Sequence, residues 1–239
     1  MPEAASAPFF LRVVARRAAF QQTVPMPAPP SGPDFSHEEA AFAAGHACVA
    51  GLDEAGRGCL CGPVVAAAVR LDPAHIPAGL NDSKALTALQ RRRLYDRILA
   101  QADVAVGEAS PAEIDSINIL RASHLAMLRA LAGLAAPADF ALVDGHLLPR
   151  GLTIPAQAVV KGDGKVYSVA AASIVAKVTR DRIMVDLAQQ YPGYGWERNA
   201  GYPTADHLSA LEKLGVTPLH RRSFRPVHNI LYQDKSITP

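Results

Sequence analysis

The chain has 239 residues, 49% of them apolar and 19% charged, with a formal net charge of +2. That length allows one domain of about 200 residues or two smaller ones, and the apolar content allows a sizeable core. The composition excludes a solvated, disordered chain, whereas the small net charge neither marks nor excludes a nucleic-acid binder, because local patches decide that.

No run reaches the roughly 20 apolar residues needed to cross a bilayer, so no membrane span is expected. Cys48, Cys59 and Cys61 crowd one region. An odd count without a secretory signal reads as reduced thiols in a cytoplasmic protein, and no further cysteine pair is present to complete a zinc site.

Residues 1–36 come first. Arg12, Arg16 and Arg17 interrupt an apolar run, no acid falls between Glu3 and Asp34, and Val24–Ser36 holds five prolines and a glycine. This reads as an extension and an extended linker outside the fold, preceding a domain over 45–230 and a tail over 231–239. The tail shows no recognisable partner motif, and a monomer is expected.

From Ala47 the pattern becomes α/β. Ala47–Asp53 is a short apolar run, a buried strand. Cys61–Leu71 is a second, and the short connection implies antiparallel pairing. Ala85–Leu99 reads as a helix and Asp103–Ser110 as a third strand. Ser110–Leu134 reads as one helix, with Ser110 as N-cap, Pro111 in the first turn and Glu113 at the capping-box position. Asp139–Gly145 and Ala156–Gly164 are further strands. Tyr167–Tyr191 is a long helix rich in small residues, and Thr204–Gly215 a shorter one. The order implies an α/β fold, a mixed sheet with helices on its faces.

Three strand ends carry acids: Asp53 with Glu54, Asp144, and Asp163. An aspartate after a strand is commonly a turn former. Here each acid stands near a glycine, and neighbouring strands could bring all four carboxylates together. Clustered carboxylates repel unless one binds a proton or a cation neutralises them. Oxygen ligands without nearby His or Cys favour Mg²⁺ or Mn²⁺, the ions that suit in-line displacement at phosphorus. The residues thus point to metal-dependent phosphoryl transfer and do not name a substrate.

Gly56-Arg57-Gly58 beside the acids could admit a phosphate closely, or could be a tight hairpin turn. Basic residues recur in "NDSK", "AKVTRDR" and "LHRRSFRPVHN", as a solvated face or as the flank a polyanion needs. Tyr194, Trp196 and Tyr202 lie close to glycines, where they could stack on sugars or bases or pack the edge of the domain.

Taken together, "GLDEAGRG", "GLNDSKALT", "EIDSINILRAS", "LVDG", "VVKGDGK", "SVAAASIVAKVTRDR", "YPGYGW", "GYPTADHL" and "HRRSF" resemble ribonuclease HII, in order from about Gly51 to Val227. The resemblance implies an RNase H-like fold with a small C-terminal helical region. It implies Mg²⁺- or Mn²⁺-dependent cleavage of RNA in RNA–DNA hybrids and incision 5′ to single ribonucleotides in duplex DNA. By motif it assigns metal binding and catalysis to Asp53, Glu54, Asp144 and Asp163, with Asp163 the more mobile ligand or proton handler. It assigns the grip on the backbone around the 2′-hydroxyl to Gly56, Arg57 and Gly58, and stacking on the following deoxyribose to Tyr202. Lys84, Ser173 and Lys177 match motifs that contact phosphate. The departures are Cys59 for a frequent proline, Cys61 for a frequent alanine, Ala200 for a common lysine, and one extra residue in the loop Leu147–Gly151. A different structure-specific nuclease would share the acids without needing Gly56-Arg57-Gly58 beside Tyr202. A non-catalytic hybrid-binding protein would have no use for four acids facing a polyanion.

Overall fold

The computed structural model describes residues 32–232, so most of the extension and of the tail read above lies outside the described residues. The end of the proline-rich stretch is tied to the fold: Asp34 donates its backbone N–H to Lys165 O and accepts from Tyr167 N–H. Helix α1 (Ser36–Ala43) follows and buries Ala41. The sequence pattern assigns nothing over 37–44, because the segment is short and shows no apolar stripe. Its Glu38 is 1% exposed and accepts the Ser168 N–H at 2.7 Å. That carboxylate occupies the N-terminus of helix α5 (Tyr167–Gln190), where the unpaired N–H groups favour an anion.

Five strands form one mixed sheet: β1 (Val49–Ala55), β2 (Val64–Arg70), β3 (Asp103–Ala109), β4 (Phe140–Asp144) and β5 (Ala156–Val159). Their order is β3-β2-β1-β4-β5. β2 pairs antiparallel with both β1 and β3, as the short first connection implies, while β4 runs parallel to β1 and β5.

Strand periodicity distributes the core. Val64, Ala66 and Ala68 of β2 pack with Ala122, Ala126 and Met127 of helix α4 (Ile119–Ala132). Ala67 and Val69 pack instead with α5 and with Leu94 and Ile98 of helix α2 (Ala88–Gln101). β2 is therefore covered on both faces, which is why it reads as a continuous apolar run. α5 lies against β1 at backbone distance: a Cβ at Gly51 would come within 3.0 Å of the Ser168 and Val169 backbone. Ala170, Ala171 and Ala172 keep the contact close further along.

Two expected elements differ. Ser110–Leu134 is two helices, α3 (Pro111–Ile117) and α4, with the expected capping box of Ser110 and Glu113 at the start. Asn118 breaks them by taking φ 67° and accepting the Arg121 N–H on its side chain, so it caps α4. The strand expected over Ala156–Gly164 stops at Val159, because Lys161 turns left-handed at φ 57° and starts a 3₁₀ turn over Gly162–Gly164.

Helices α6 (Trp196–Asn199), α7 (Ala205–Leu214) and α8 (Arg225–Tyr232) form the small C-terminal helical region. Its separate core joins Leu60, Met184, Trp196, Leu211 and Val227. Tyr194 and Trp196 belong to this core and not to a stacking surface; their ring centroids are 5.0 Å apart. No described helix is long and apolar enough to cross a membrane.

Candidate active site

The parallel register pairs Leu52 of β1 with Val143 of β4. The next residues on each strand, Asp53 and Asp144, therefore end side by side at the C-terminal edge of the sheet's centre. Glu54 follows on β1, and the left-handed turn at Lys161 brings Asp163 back from β5.

Local bonds fix one oxygen of most of these acids. Asp53 Oδ1 accepts the Glu54 N–H at 2.7 Å, and Asp144 Oδ1 accepts the Gly162 N–H at 2.7 Å. Glu54 Oε1 pairs with Arg57 Nη1 at 3.0 Å. Asp163 Oδ2 lies 3.8 Å from Lys84 Nζ.

Burial and neighbouring charge disfavour the ionisation of Asp53, Glu54 and Asp163. Burial, then the charges of Glu54 and Asp144, push Asp53 well above the usual carboxylate range. Burial also raises Glu54, against the opposing pull of Arg57. Burial, then Asp144 and Asp82, raise Asp163, with Lys84 opposing. For Lys84, burial favours the neutral amine, but Asp163, Asp82, Asp53 and Asp144 outweigh it and raise the pKa. Among the described residues, no three of these acids bring carboxylate oxygens within 4.8 Å of one another. Carboxylates that are buried, mutually repelling and only partly offset by Arg57 and Lys84 fit a hard divalent cation, which would remove the repulsion between them.

A cleft of about 300 Å³ opens over this edge. Asp53, Glu54 and Asp144 line its floor, and Gly56, Arg57 and Gly58 one side. Tyr202, 41% exposed, also lines the cleft, with its Cε1 3.9 Å from where a Cβ on Gly58 would stand. Residues 144 positions apart in the chain thus meet across one opening. Lys84, Ser173 and Lys177 also line the cleft, whereas Asp163 reaches it through Lys84. Ser173 is buried and donates to Ser83 Oγ at 2.9 Å. Lys177 pairs with Asp181 at 2.8 Å, and its Nζ sits 5.7 Å from the Tyr202 ring centroid.

Sequence reasoning missed Ser83, which lines the cleft, and Arg91, which holds Ser83 by donating to its carbonyl and to that of Leu86. It also misplaced two basic residues. Arg180 of "TRDR" and Arg221 of "HRRSF" are 1% and 0% exposed and face the protein interior, not a polyanion. Their charge is buried because backbone carbonyls distant in sequence surround them, which no local charge pattern displays.

Among the described residues, one further trio, Cys61, His207 and His220, brings ligand-type atoms within 4.8 Å of one another. Hydrogen bonds already assign the ring nitrogens of the two histidines. Thr217 N–H donates to His220 Nδ1 at 3.0 Å, so the His220 proton is on Nε2, 3.3 Å from His207 Nε2. Trp196 Nε1–H also donates to His207 Nε2 at 3.0 Å, and His207 Nδ1–H donates to Tyr202 O at 2.9 Å. Burial, with His207 beside it, pushes His220 down to about 4, and burial pushes the Cys61 thiol up to about 12. The two histidines are a neutral hydrogen-bonded pair that supports the Tyr202 backbone through His207, with the neutral Cys61 thiol beside them.

The family model described as Ribonuclease HII matches residues 50–227. A ribonuclease HII of Cereibacter sphaeroides is 66% identical over 207 residues, 87% of this chain and 98% of that protein. One of Ruegeria pomeroyi is 66% identical over 202 residues, 84% of this chain and 86% of that protein. Among solved structures, ribonuclease H2 from Pyrococcus horikoshii matches with a TM-score of 0.66 and 31% identity, covering 77% of this chain and 97% of that one. The sheet order, the acids at its edge and these matches lead to one assignment: the chain belongs to the ribonuclease HII family and is a phosphodiester-hydrolysing endonuclease of the ribonuclease H type.

Proposed function

We propose that this protein cleaves the RNA strand of RNA–DNA hybrids and also incises 5′ to single ribonucleotides in duplex DNA, leaving 3′-hydroxyl and 5′-phosphate ends. The observation that carries this reading is the meeting of Tyr202 with Gly58 over Asp53, Glu54 and Asp144. A nuclease indifferent to sugar type needs the acids but not that pair.

Asp53, Glu54, Asp144 and Asp163 would hold two divalent cations, Mg²⁺ or Mn²⁺. Bound there, such ions supply activation of the attacking water and charge stabilisation at the leaving oxygen. The chain's own residues do the rest. Asp163, with its raised pKa and its place within a short turn, is suited to holding and passing a proton. Arg57, half exposed and anchored to Glu54, offers its remaining donors to a phosphate beside the acids. The glycine backbone on either side approaches the 2′-hydroxyl, the group that separates RNA from DNA at a single position. The Tyr202 ring stacks on the next sugar and leaves no room for a second hydroxyl there. Lys84, Ser173 and Lys177 contact phosphate along the cleft.

The test is a duplex with one embedded ribonucleotide, incubated with Mg²⁺ or Mn²⁺ beside a continuous hybrid. The expected product is a nick 5′ to the ribonucleotide; its absence, with a control enzyme active, would sink the proposal. Tyr202→Ala should lose more activity on the embedded ribonucleotide than on the hybrid, and equal losses would refute its junction role.

A further inference from the structure

Arg180 and Arg221 make every hydrogen bond of their guanidinium groups, among the described residues, to backbone carbonyls. Arg180 donates from Nε to Pro63 O at 3.1 Å, from Nη1 to Ala200 O at 2.8 Å, and from Nη2 to Cys61 O at 3.1 Å. Arg221 donates from Nε and Nη2 to Gly62 O at 3.1 and 3.0 Å, from Nη1 to Arg57 O at 3.0 Å, and from Nη2 to Pro63 O at 3.2 Å. Its guanidinium carbon lies 5.1 Å from the Phe224 ring centroid. The two cations share Pro63 O, and burial together with the charge of Arg180 pushes Arg221 down to about 10. Two buried like charges without a carboxylate are costly to keep. What the fold gains is geometry, because a planar fork of five donors sets several carbonyls at once.

Those carbonyls belong to the two loops that flank the cleft. Arg57, Cys61, Gly62 and Pro63 follow the acids, and Ala200 lies two residues before Tyr202. Further bonds join the same loops: Leu60 N–H to Gly201 O, Gly62 N–H to Leu219 O, and Arg221 N–H to Leu60 O. The first glycine of Gly56-Arg57-Gly58 fits the clamp itself. A Cβ there would fall within 3.0 Å of Arg180 Nε, Cδ and Cζ. Gly56 is thus the slot through which the Arg180 side chain passes.

We propose that Arg180 and Arg221 are positioning residues that set the distance between Gly56-Arg57-Gly58 and Tyr202, and thereby the preference for an isolated ribonucleotide over a continuous hybrid. This rests on the function proposed above. Lysine retains the charge but offers three donors from one point, so at 180 it cannot hold the carbonyls of two loops in register, and at 221 it cannot fix the Arg57, Gly62 and Pro63 carbonyls that set the shape of the first loop.

The test compares kcat/KM of the parent, R180K, R221K, Y202A and the double variant R180K/Y202A on both substrates, at a temperature where melting curves show each variant folded. R180K and R221K should lose about tenfold or more on the embedded ribonucleotide and less than about threefold on the hybrid, since small misplacement of a recognition group is expensive. The double variant should be no less selective than Y202A alone, as expected of residues acting through one another. Equal losses on the two substrates, or selectivity losses that multiply in the double variant, would overturn the proposal. If R180K melts below the assay temperature, R221K decides by the same ratio, because it leaves the Ala200 contact intact. A parent that nicks the hybrid and never the embedded ribonucleotide refutes the proposed function instead, and that result is visible before any variant is made.

Discussion

Replacing Gly56 by alanine should destabilise the protein far more than a glycine-to-alanine change in a turn ordinarily does. Two costs add. Gly56 has φ +96°, and an L-residue with positive φ costs about 1–2 kcal/mol. The new methyl would also occupy the position of Arg180 Nε, so the guanidinium must move. Losing one of its three charge-assisted bonds costs about 1.5–3 kcal/mol. Together they predict a loss of about 2.5–5 kcal/mol, or roughly 5–20 °C in melting temperature for a domain of this size. Gly79→Ala is the matched control: its φ is +92° and nothing lies within 4 Å of the added Cβ. It should show the conformational cost of about 1–2 kcal/mol alone. Urea denaturation of both variants, with a double variant Gly56→Ala/Arg180→Ala, measures the difference. The double variant should lose less than the sum of its singles, because the collision disappears with the side chain. Equal destabilisation by Gly56→Ala and Gly79→Ala would refute the slot.

If Asp53 holds a cation as proposed, Asp53→Asn should lower turnover by more than about a hundredfold while leaving duplex binding largely intact, since it would remove that ligand and one charge that repels phosphate. In metal-free buffer the same variant should be the more stable protein at neutral pH. A folded-state pKa raised above its ordinary 3.8 stabilises the fold at low pH, and that contribution is lost as pH rises through the folded value. The melting temperature of Asp53→Asn should therefore gain on the parent with rising pH, and a constant offset would contradict the burial of an unpaired charge. Glu113→Gln tests the opposite sign. The side chain of Arg129, then the Ser110 N–H, hold the Glu113 carboxyl down to about 2. Its contribution is present above the ordinary 4.5 and is lost as pH falls toward 2. Both partners are solvent-exposed, so the parent should exceed Glu113→Gln by under about 1 kcal/mol at pH 7, with the gap shrinking in acid denaturation series. A gap independent of pH would rule out this capping ion pair.

Local patterns exposed some parts of this molecule and hid others. The acidic strand ends at Asp53-Glu54 and Asp144 were legible because apolar runs that stop on carboxylates stand out in one dimension, whereas Asp163 lies on the turn beyond β5 and not on the strand end its apolar run suggested. The antiparallel pairing of β1 with β2 followed from a short connection. The break between α3 and α4 was obscured because the apolar spacing continues through Asn118, and the dihedral at one residue decides it. Charge patterning failed at Arg180 and Arg221, where "TRDR" and "HRRSF" look like exposed basic runs. Their partners are the carbonyls of Arg57, Cys61, Gly62, Pro63 and Ala200, groups with no signature in residue identity. The side-by-side placement of Gly58 and Tyr202 was likewise beyond spacing arguments and entered through the family resemblance.

The clamp also has a consequence for the order in which the protein is made. Asp53 and Glu54 leave the ribosome early, and the strands that frame them are complete once Val159 has emerged. The loop after them must wait longer: the bond from Arg221 to Arg57 closes a separation of 164 residues, and the bond from Arg180 to Cys61 one of 119. The acids are therefore synthesised long before the loop beside them can find its partners, and the clamp closes only after Arg221 has emerged.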